Sequence, residues 1–309
     1  MSLMGRMRNF IAVCVVFLTL PMASQMATSK SQPMPSVAVG PQYDSTHVYV
    51  APKDRAAFVR QFLGTFGGKS TKPVVATVTP SPSSTSSQML QTPAGTISLF
   101  AFSTPIPAPF GSERTGFLVN DLDIAVASAR SSGAEVIVSP FSDPIGRDAL
   151  IRFPGGMMTQ LYWHTTAPHF AALDTVPENR VYISQDRAEE FLHSFLQFSH
   201  GTVRSDEDAA TGTEIGRPGY TFRRVEIEST FGRLLVLVTD GITPYPYGRE
   251  TTGYEVHHLT ETLHKATSLG AKVLVSKVEV AGRMSAMVEF SGGYISEIHE
   301  KVALPAKRR

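Results

Sequence analysis

Apolar residues change their spacing in a regular order along the chain. A short apolar run ends at Val119, and Asp121 then stands where a helix N-cap belongs. Leu122–Ser131 carries Ile124, Val126 and Ala129 as an amphipathic helix, which Gly133 stops. A β-rich run, Glu135–Val138, follows, then a Pro-containing loop, Ala149–Phe153, a Gly155-Gly156 turn, and Met158–Trp163 with strand alternation. The predicted order is β-α-β-β-β. Residues 47–102 give it again more loosely: strand His47–Val50, helix Arg55–Phe66 ended by Gly67-Gly68, then strands about Pro73–Val78, Gln88–Gln91 and Thr96–Phe102. Pro80–Ser87, rich in Ser and Pro, reads as a long flexible loop at the rim of this module.

The second half of the chain repeats the first. Thr115-Gly-Phe-Leu-Val-Asn-Asp-Leu122 aligns with Thr252-Gly-Tyr-Glu-Val-His-His-Leu259, and the same shift places Ser132-Gly-Ala-Glu-Val-Ile-Val-Ser139 on Leu269-Gly-Ala-Lys-Val-Leu-Val-Ser276. Phe153-Pro-Gly-Gly156 falls on Phe290-Ser-Gly-Gly293, and the connector Pro107-Ala-Pro-Phe-Gly111 on Pro244-Tyr-Pro-Tyr-Gly248. Upstream, His47-Val-Tyr-Val50 pairs with Arg180-Val-Tyr-Ile183. The chain is therefore a duplication of a module pair: residues 46–167 form the first pair and 177–302 the second.

Four such modules in two pairs resemble the vicinal oxygen chelate superfamily, which includes glyoxalase I, extradiol dioxygenases and bleomycin- and fosfomycin-resistance proteins. The resemblance rests on Gly116-Phe-Leu-Val-Asn-Asp-Leu122, Gly133-Ala-Glu-Val136, Asp143-Pro-Ile-Gly-Arg147, and Phe153-Pro-Gly-Gly156 followed by Gln160-Leu-Tyr162, and it covers residues 46–301. It implies an α+β fold in which each module pair curls its strands into an open cup-shaped sheet. It also implies that a cup commonly holds a divalent metal and a small substrate.

In that family the metal is held by His and Glu or Gln on the first and last strand of each paired module. Carried over, the first pair reads His47, near Ser98, near Arg114, and Gln160, with His164 or water to complete a shell. The second reads Arg180, near Leu235, near Thr251, and Glu297. A hard divalent ion wants several N or O ligands, so His47 and Gln160 alone would hold one weakly. An Arg does not bind a cation; Arg180 facing Glu297 would form a buried ion pair, directly or through a shared ligand, or hold a substrate carboxylate. Gln160, Tyr162 and His164 share one strand face, as do Glu297 and His299, so both cups are expected to have polar floors. Two readings stay open. One is a glyoxalase-type lyase or dioxygenase in which a divalent metal of unspecified identity, held by His47, Gln160 and His164, polarises a substrate oxygen. The other is a protein that only encloses a small molecule, using Tyr49, Tyr162, Arg180, Tyr182, Glu297 and His299. A scaffold for interactions is a third use of such a fold. His257 and His258 sit at a helix entry, and His193, His200 and His264 lie on or beside helices; these read as capping or surface residues. Phe110, Tyr245 and Tyr247 in the connectors read as packing between modules, with the lining of a pocket mouth as the alternative. No Gly-x-Ser-x-Gly, Walker loop or His-Glu-x-x-His occurs.

Composition narrows the partners. Lys and Arg number 28 against 27 for Asp and Glu, with no long block of either sign, which argues against a nucleic acid or an anionic membrane and leaves a small-molecule ligand. Arg6 and Arg8, the apolar run Phe10–Leu20, and the small residues Ala23, Ser24 and Ala27 have the layout of a secretory signal peptide over 1–27, followed by a Ser/Pro/Met/Gln-rich linker over 28–45. The apolar run is shorter than the about 20 residues of a membrane span. A periplasmic or secreted protein, monomeric or a homodimer, is expected. The single cysteine, Cys14, falls in the leader, so the mature chain would hold no disulfide and no thiolate metal site.

Overall fold

The computed structural model describes residues 36–302. The expected signal peptide, 1–27, lies outside the described residues. The first module comprises β1 (Ser45–Tyr49), α1 (Arg55–Phe66), the short β2 (Lys69–Ser70) and β3 (Val74–Ala76), β4 (Thr85–Thr92) and β5 (Gly95–Phe102). The second comprises β6 (Thr115–Leu118), α2 (Leu122–Ser131), β7 (Glu135–Asp143), β8 (Gly146–Arg152) and β9 (Met158–His164). The third comprises β10 (Glu178–Ser184), α3 (Ala188–Ser199), β11 (Thr202–Thr211), a 3₁₀ turn Gly212–Ile215, β12 (Thr221–Ser229) and β13 (Gly232–Thr239). The fourth comprises β14 (Thr251–Glu255), α4 (Leu259–Ser268), β15 (Lys272–Val280), β16 (Arg283–Phe290) and β17 (Tyr294–Lys301).

Two modules share each sheet. The first sheet has the order β2-β4-β5-β1-β6-β9-β8-β7, with β3 on β4, and the second β11-β12-β13-β10-β14-β17-β16-β15. The first and last strands of a module run parallel, as in β1–β5 and β6–β9, and paired modules meet through their antiparallel first strands, β1–β6 and β10–β14. The architecture is the expected α+β one: two curled sheets, each a half-barrel cup built from a module pair.

Helices cross between the halves to build the cores. α2 and α3 bury Leu122, Ala125, Val126, Phe191, Phe195 and Phe198 in one cluster, and α1 and α4 bury Phe58, Phe62, Leu263 and Ala266 in another. Val48 and Val50 belong to the second cluster and Val181 and Ile183 to the first. Because side chains alternate along a strand, His47 and Tyr49, and likewise Arg180 and Tyr182, face away from the helices into the cups. Burial of apolar strand residues under the helices thus dictates which polar residues line each concavity.

The helix spans read from periodicity, Arg55–Phe66 and Leu122–Ser131, are those observed, and Asp121 caps α2 by accepting from the Ile124 amide at 2.9 Å. Strand limits differ more. β7 runs on through Pro140, which the ladder tolerates because β7 is an edge strand with irregular pairing to β8. The Pro80–Ser87 stretch is partly ordered: Thr79 Oγ1 donates to the Ser81 carbonyl at 2.9 Å, and Thr85–Ser87 already belong to β4. Packing begins ahead of β1, since Val37 is buried and Ala38 bridges Val119. Among the described residues no helix is long and apolar enough to cross a membrane.

Candidate functional site in the first cup

The first cup contains a cavity of about 110 Å³. Its polar lining includes His47 and Tyr49 from β1, Gln160, Tyr162 and His164 from β9, and Asp148 from β8; Phe100, Phe102 and Phe110 form the apolar side. The structure therefore brings His47, Gln160 and His164 together, with Tyr49 and Tyr162 beside them. Phe110, read as a packing residue, is buried and lines the same cavity, whereas Tyr245 is exposed. His193, His200, His257, His258 and His264 are all exposed.

His47 is held from two sides. Its Nδ1 lies 3.5 Å from Glu113 Oε1, and Phe100 packs edge-on with ring centroids 5.3 Å apart. Glu113, with no exposed surface, also accepts from the Gly111 amide at 3.1 Å and from the Tyr49 hydroxyl. Burial, and then the Glu113 carboxylate, push the Tyr49 hydroxyl well above its ordinary range, so it stays a donor. On the opposite wall, burial first, and then the nearby Asp143, push the Asp148 carboxyl well above its ordinary range. Burial lowers His164, favouring its neutral imidazole. The Tyr162 hydroxyl is taken up by the Tyr43 carbonyl.

Sequence reasoning missed Glu113 and Asp148. Asp148 pairs with Tyr162 across β8 and β9, so it shares the inward face, but this follows only once the register between those strands is known. Glu113 precedes β6 in a connector that carries no periodicity.

The third-strand position also needs correcting. Ser98 is in register with His47 on β5, but the residue in register with Gln160 on β6 is Gly116, not Arg114. Arg114 lies ahead of β6 and lines a different cavity. A Cβ built at Gly116 would stand 2.4 Å from His47 Nε2 and 2.9 Å from Tyr162 Cε1, so the imidazole and the phenol fill the space that a ligand side chain from β6 would use. In the second sheet the matching residue is Gly253, in register with both Glu178 and Glu297, rather than Thr251. Among the described residues no group of three or more His, Cys, Asp or Glu side chains is placed to hold a metal ion. His47, Gln160 and His164 line one cavity, but His47 and His164 do not converge with a carboxyl into such a group, which leaves the set short of the shell that a hard or borderline divalent ion needs. The residues present do not fit a resident metal.

The second cup is filled instead. Arg283 enters at the position that the duplication assigns to Gly146: Gly146 pairs with His164, and Arg283 with Lys301. The 3₁₀ turn inserts Glu214 and Ile215, both buried, against Phe222, Leu235, Leu237 and Tyr182. Arg180 and Glu297 are 2% and 1% exposed, as a facing buried pair requires, but they make no direct bond. Arg180 donates to Glu178 and Glu214, both at 3.1 Å. Glu297 accepts from Ser285 at 2.6 Å and contacts His299 Nδ1 at 2.7 Å, with Arg283 Nε 4.0 Å away. The expected pair is thus replaced by a network, because the sheet and the turn bring Glu178, Glu214, Arg224 and Arg283 into the same interior. Tyr182 packs on the apolar plug, and His299 reaches a cavity of about 350 Å³ at the network's edge. The six residues read as ligand-binding therefore divide between two cups, and only Tyr49 and Tyr162 share the first cavity.

No family model matches the chain, and no curated protein matches it. Solved structures do. A mutant of 4-hydroxymandelate synthase from Streptomyces coelicolor superposes with a TM-score of 0.58 at 11% identity, over 89% of this chain and 94% of that one. The Mn(II)-bound glyoxalase from Novosphingobium aromaticivorans gives 0.53 at 10%, over 87% and 84%. The 2,3-dioxygenase LapB from Pseudomonas sp. KL28 gives 0.51 at 10%, over 89% and 96%. At these identities the likeness is one of fold alone, and it agrees with the fold that the sequence resemblance implies.

Proposed function

We propose that the first cup binds a small organic molecule without a resident metal, through hydrogen bonds from His47, Gln160 and Asp148 against the Phe100, Phe102 and Phe110 wall. The observation that carries this reading is the contrast between the cups: the first keeps an aromatic-walled cavity with unspent polar groups, and the second is closed by its own charges. Since roughly 10–15 Å³ holds one water, the cavity of about 110 Å³ accommodates on the order of ten non-hydrogen atoms. That is the size of one substituted ring. The neighbours, among them a 4-hydroxymandelate synthase and a 2,3-dioxygenase, support the fold and a small-molecule ligand, not a particular reaction. Ligand-observed NMR with a library of hydroxylated and carbonyl-bearing monocyclic compounds tests the proposal: binders should be lost in Gln160→Leu, and a library without binders, or binders indifferent to Gln160→Leu and His47→Ala, would overturn it.

A second reading is favoured by the His47–Glu113 contact. A carboxylate facing Nδ1 orients the imidazole and leaves Nε2 as the basic nitrogen, while Asp148 on the other wall, its carboxyl raised by burial, is the candidate acid. That pair suits proton transfer on a bound carbonyl compound. Loss of turnover with retained binding in both Glu113→Gln and Asp148→Asn would support it. Export to the periplasm or exterior is likewise proposed, from the leader-like layout of 1–27, and N-terminal sequencing of the fractionated protein tests it.

A further inference from the structure

Tyr49 also borders a second cavity, of about 150 Å³, where the two halves of the chain meet. Thr46 and Arg114 come to it from the first half, and Arg249, Glu250, Thr252 and Tyr294 from the second. Among the described residues neither guanidinium group here makes a hydrogen bond or an ion pair. Glu250 is the duplicate of Glu113, by the shift that carries Thr115 onto Thr252. The two copies are used differently. Glu113 is fully engaged by Tyr49, Gly111 and His47, whereas Glu250 Oε1 is sealed from solvent with no hydrogen-bond partner.

A carboxyl with one oxygen sealed from water and unbonded favours its proton. Burial raises Glu250, Arg114 partly opposes this, Glu113 adds to it and the neighbouring Thr115 hydroxyl opposes it slightly, with the result pushed up to about 8. At neutral pH the cavity therefore presents two unpaired guanidinium groups and a neutral acid able to donate a hydrogen bond.

We propose that this junction cavity binds a small carboxylate or comparable oxyanion, held by the guanidinium groups of Arg114 and Arg249 and by a hydrogen bond donated from Glu250. Guanidinium forks match carboxylate geometry, and a carboxylic acid donates well to a carboxylate. The charge balance sets the pH dependence. The groups facing Glu250 are Arg114, Arg249, Glu113, Tyr49 and Tyr294; the guanidinium groups stay charged, and the two phenols are held above their ordinary range by burial. Ionising Glu250 removes the donor and adds a negative charge, so affinity is present below about pH 8 and falls above it.

Equilibrium dialysis of the full chain against radiolabelled acetate, at a pH below and a pH above the Glu250 transition, tests this. Acetate should bind at the lower pH and weaken about tenfold or more at the higher. Glu250→Gln, which mimics the protonated acid, should keep binding and lose the pH dependence. Arg114→Gln should weaken binding about tenfold or more, and Arg249→Gln, at an exposed residue, should weaken it in the same direction while thermal unfolding stays at the parent value. No acetate binding, binding unchanged in Arg249→Gln, or a pH dependence that persists in Glu250→Gln would overturn the proposal.

Discussion

Arg180 and Arg283 grip the same two carboxylates. Nη1 of each donates to Glu178 Oε1, at 3.1 and 3.0 Å, and Nη2 of each to Glu214 Oε1, again at 3.1 and 3.0 Å. Arg224 adds a third guanidinium at 2.9 Å from Glu214 Oε2, and Glu297 supplies a third carboxylate. Three buried positive charges thus stand among three buried negative ones, with His299 against Glu297.

Removing one member strands the others. Arg283→Met should lower the unfolding free energy by about 3–5 kcal/mol, because Glu178 and Glu214 each lose a donor that buried carboxylates need. Arg147→Ala, which breaks the exposed pair with Asp123, should leave the denaturation midpoint unmoved. Chemical denaturation of both variants checks this, and a small effect for Arg283→Met would mean that water reaches the network.

Acid should unfold the protein through the same residues. Burial alone would raise Glu178, but Arg283, Arg180 and His299 hold it down to about 2; Glu297 and Glu214 are also lowered by the cations around them. Carboxylates depressed in the folded state contribute stability that is fully present above their unfolded value of about 4.3 and is lost as pH falls toward 2. Unfolding free energy measured from pH 7 downward should therefore stay level and then fall steeply below about pH 4.5.

Asp148 acts with the opposite sign. Its folded carboxyl is raised, so stability is lost as pH rises through the unfolded value of about 3.9, where only the unfolded chain ionises. Asp148→Asn removes this cost: the variant should match the parent near pH 3 and be the more stable of the two at pH 7. Equal stability at both pH values would show that Asp148 is ionised in the fold.

Gly116 should admit no side chain. In Gly116→Ala the new Cβ meets His47 Nε2, and the ring is boxed by Phe100 and Glu113, so a cost of about 1–3 kcal/mol is expected together with loss of ligand binding in the first cup. Thermal unfolding and the NMR binding assay read the two effects separately.

The lack of a converging ligand group among the described residues predicts weak metal retention. Protein incubated with Mn²⁺ or Fe²⁺ and then desalted should keep less than one equivalent by elemental analysis. One equivalent retained, and lost in His47→Ala, would restore a metal centre to the first cup.

Much of this was legible in the sequence. The duplication, the order of each module, the spans of α1 and α2, and the inward-facing parity of His47, Tyr49, Gln160 and Arg180 all follow from local periods, because helix and strand repeats depend on near neighbours. What tertiary structure decided is register. Alternation says which face a residue takes but not which residue lies opposite, and bulges such as those between β7 and β8 or β15 and β16 shift that pairing without a local signature. Hence Gly116 rather than Arg114 stands beside Gln160, and Arg283 meets Glu178 and Glu214 in the second cup. Glu214 reaches Arg180 on a 3₁₀ turn that no periodicity marks. Whether a cup stays open or fills with charge depends on these long-range pairings, which only the folded sheets specify.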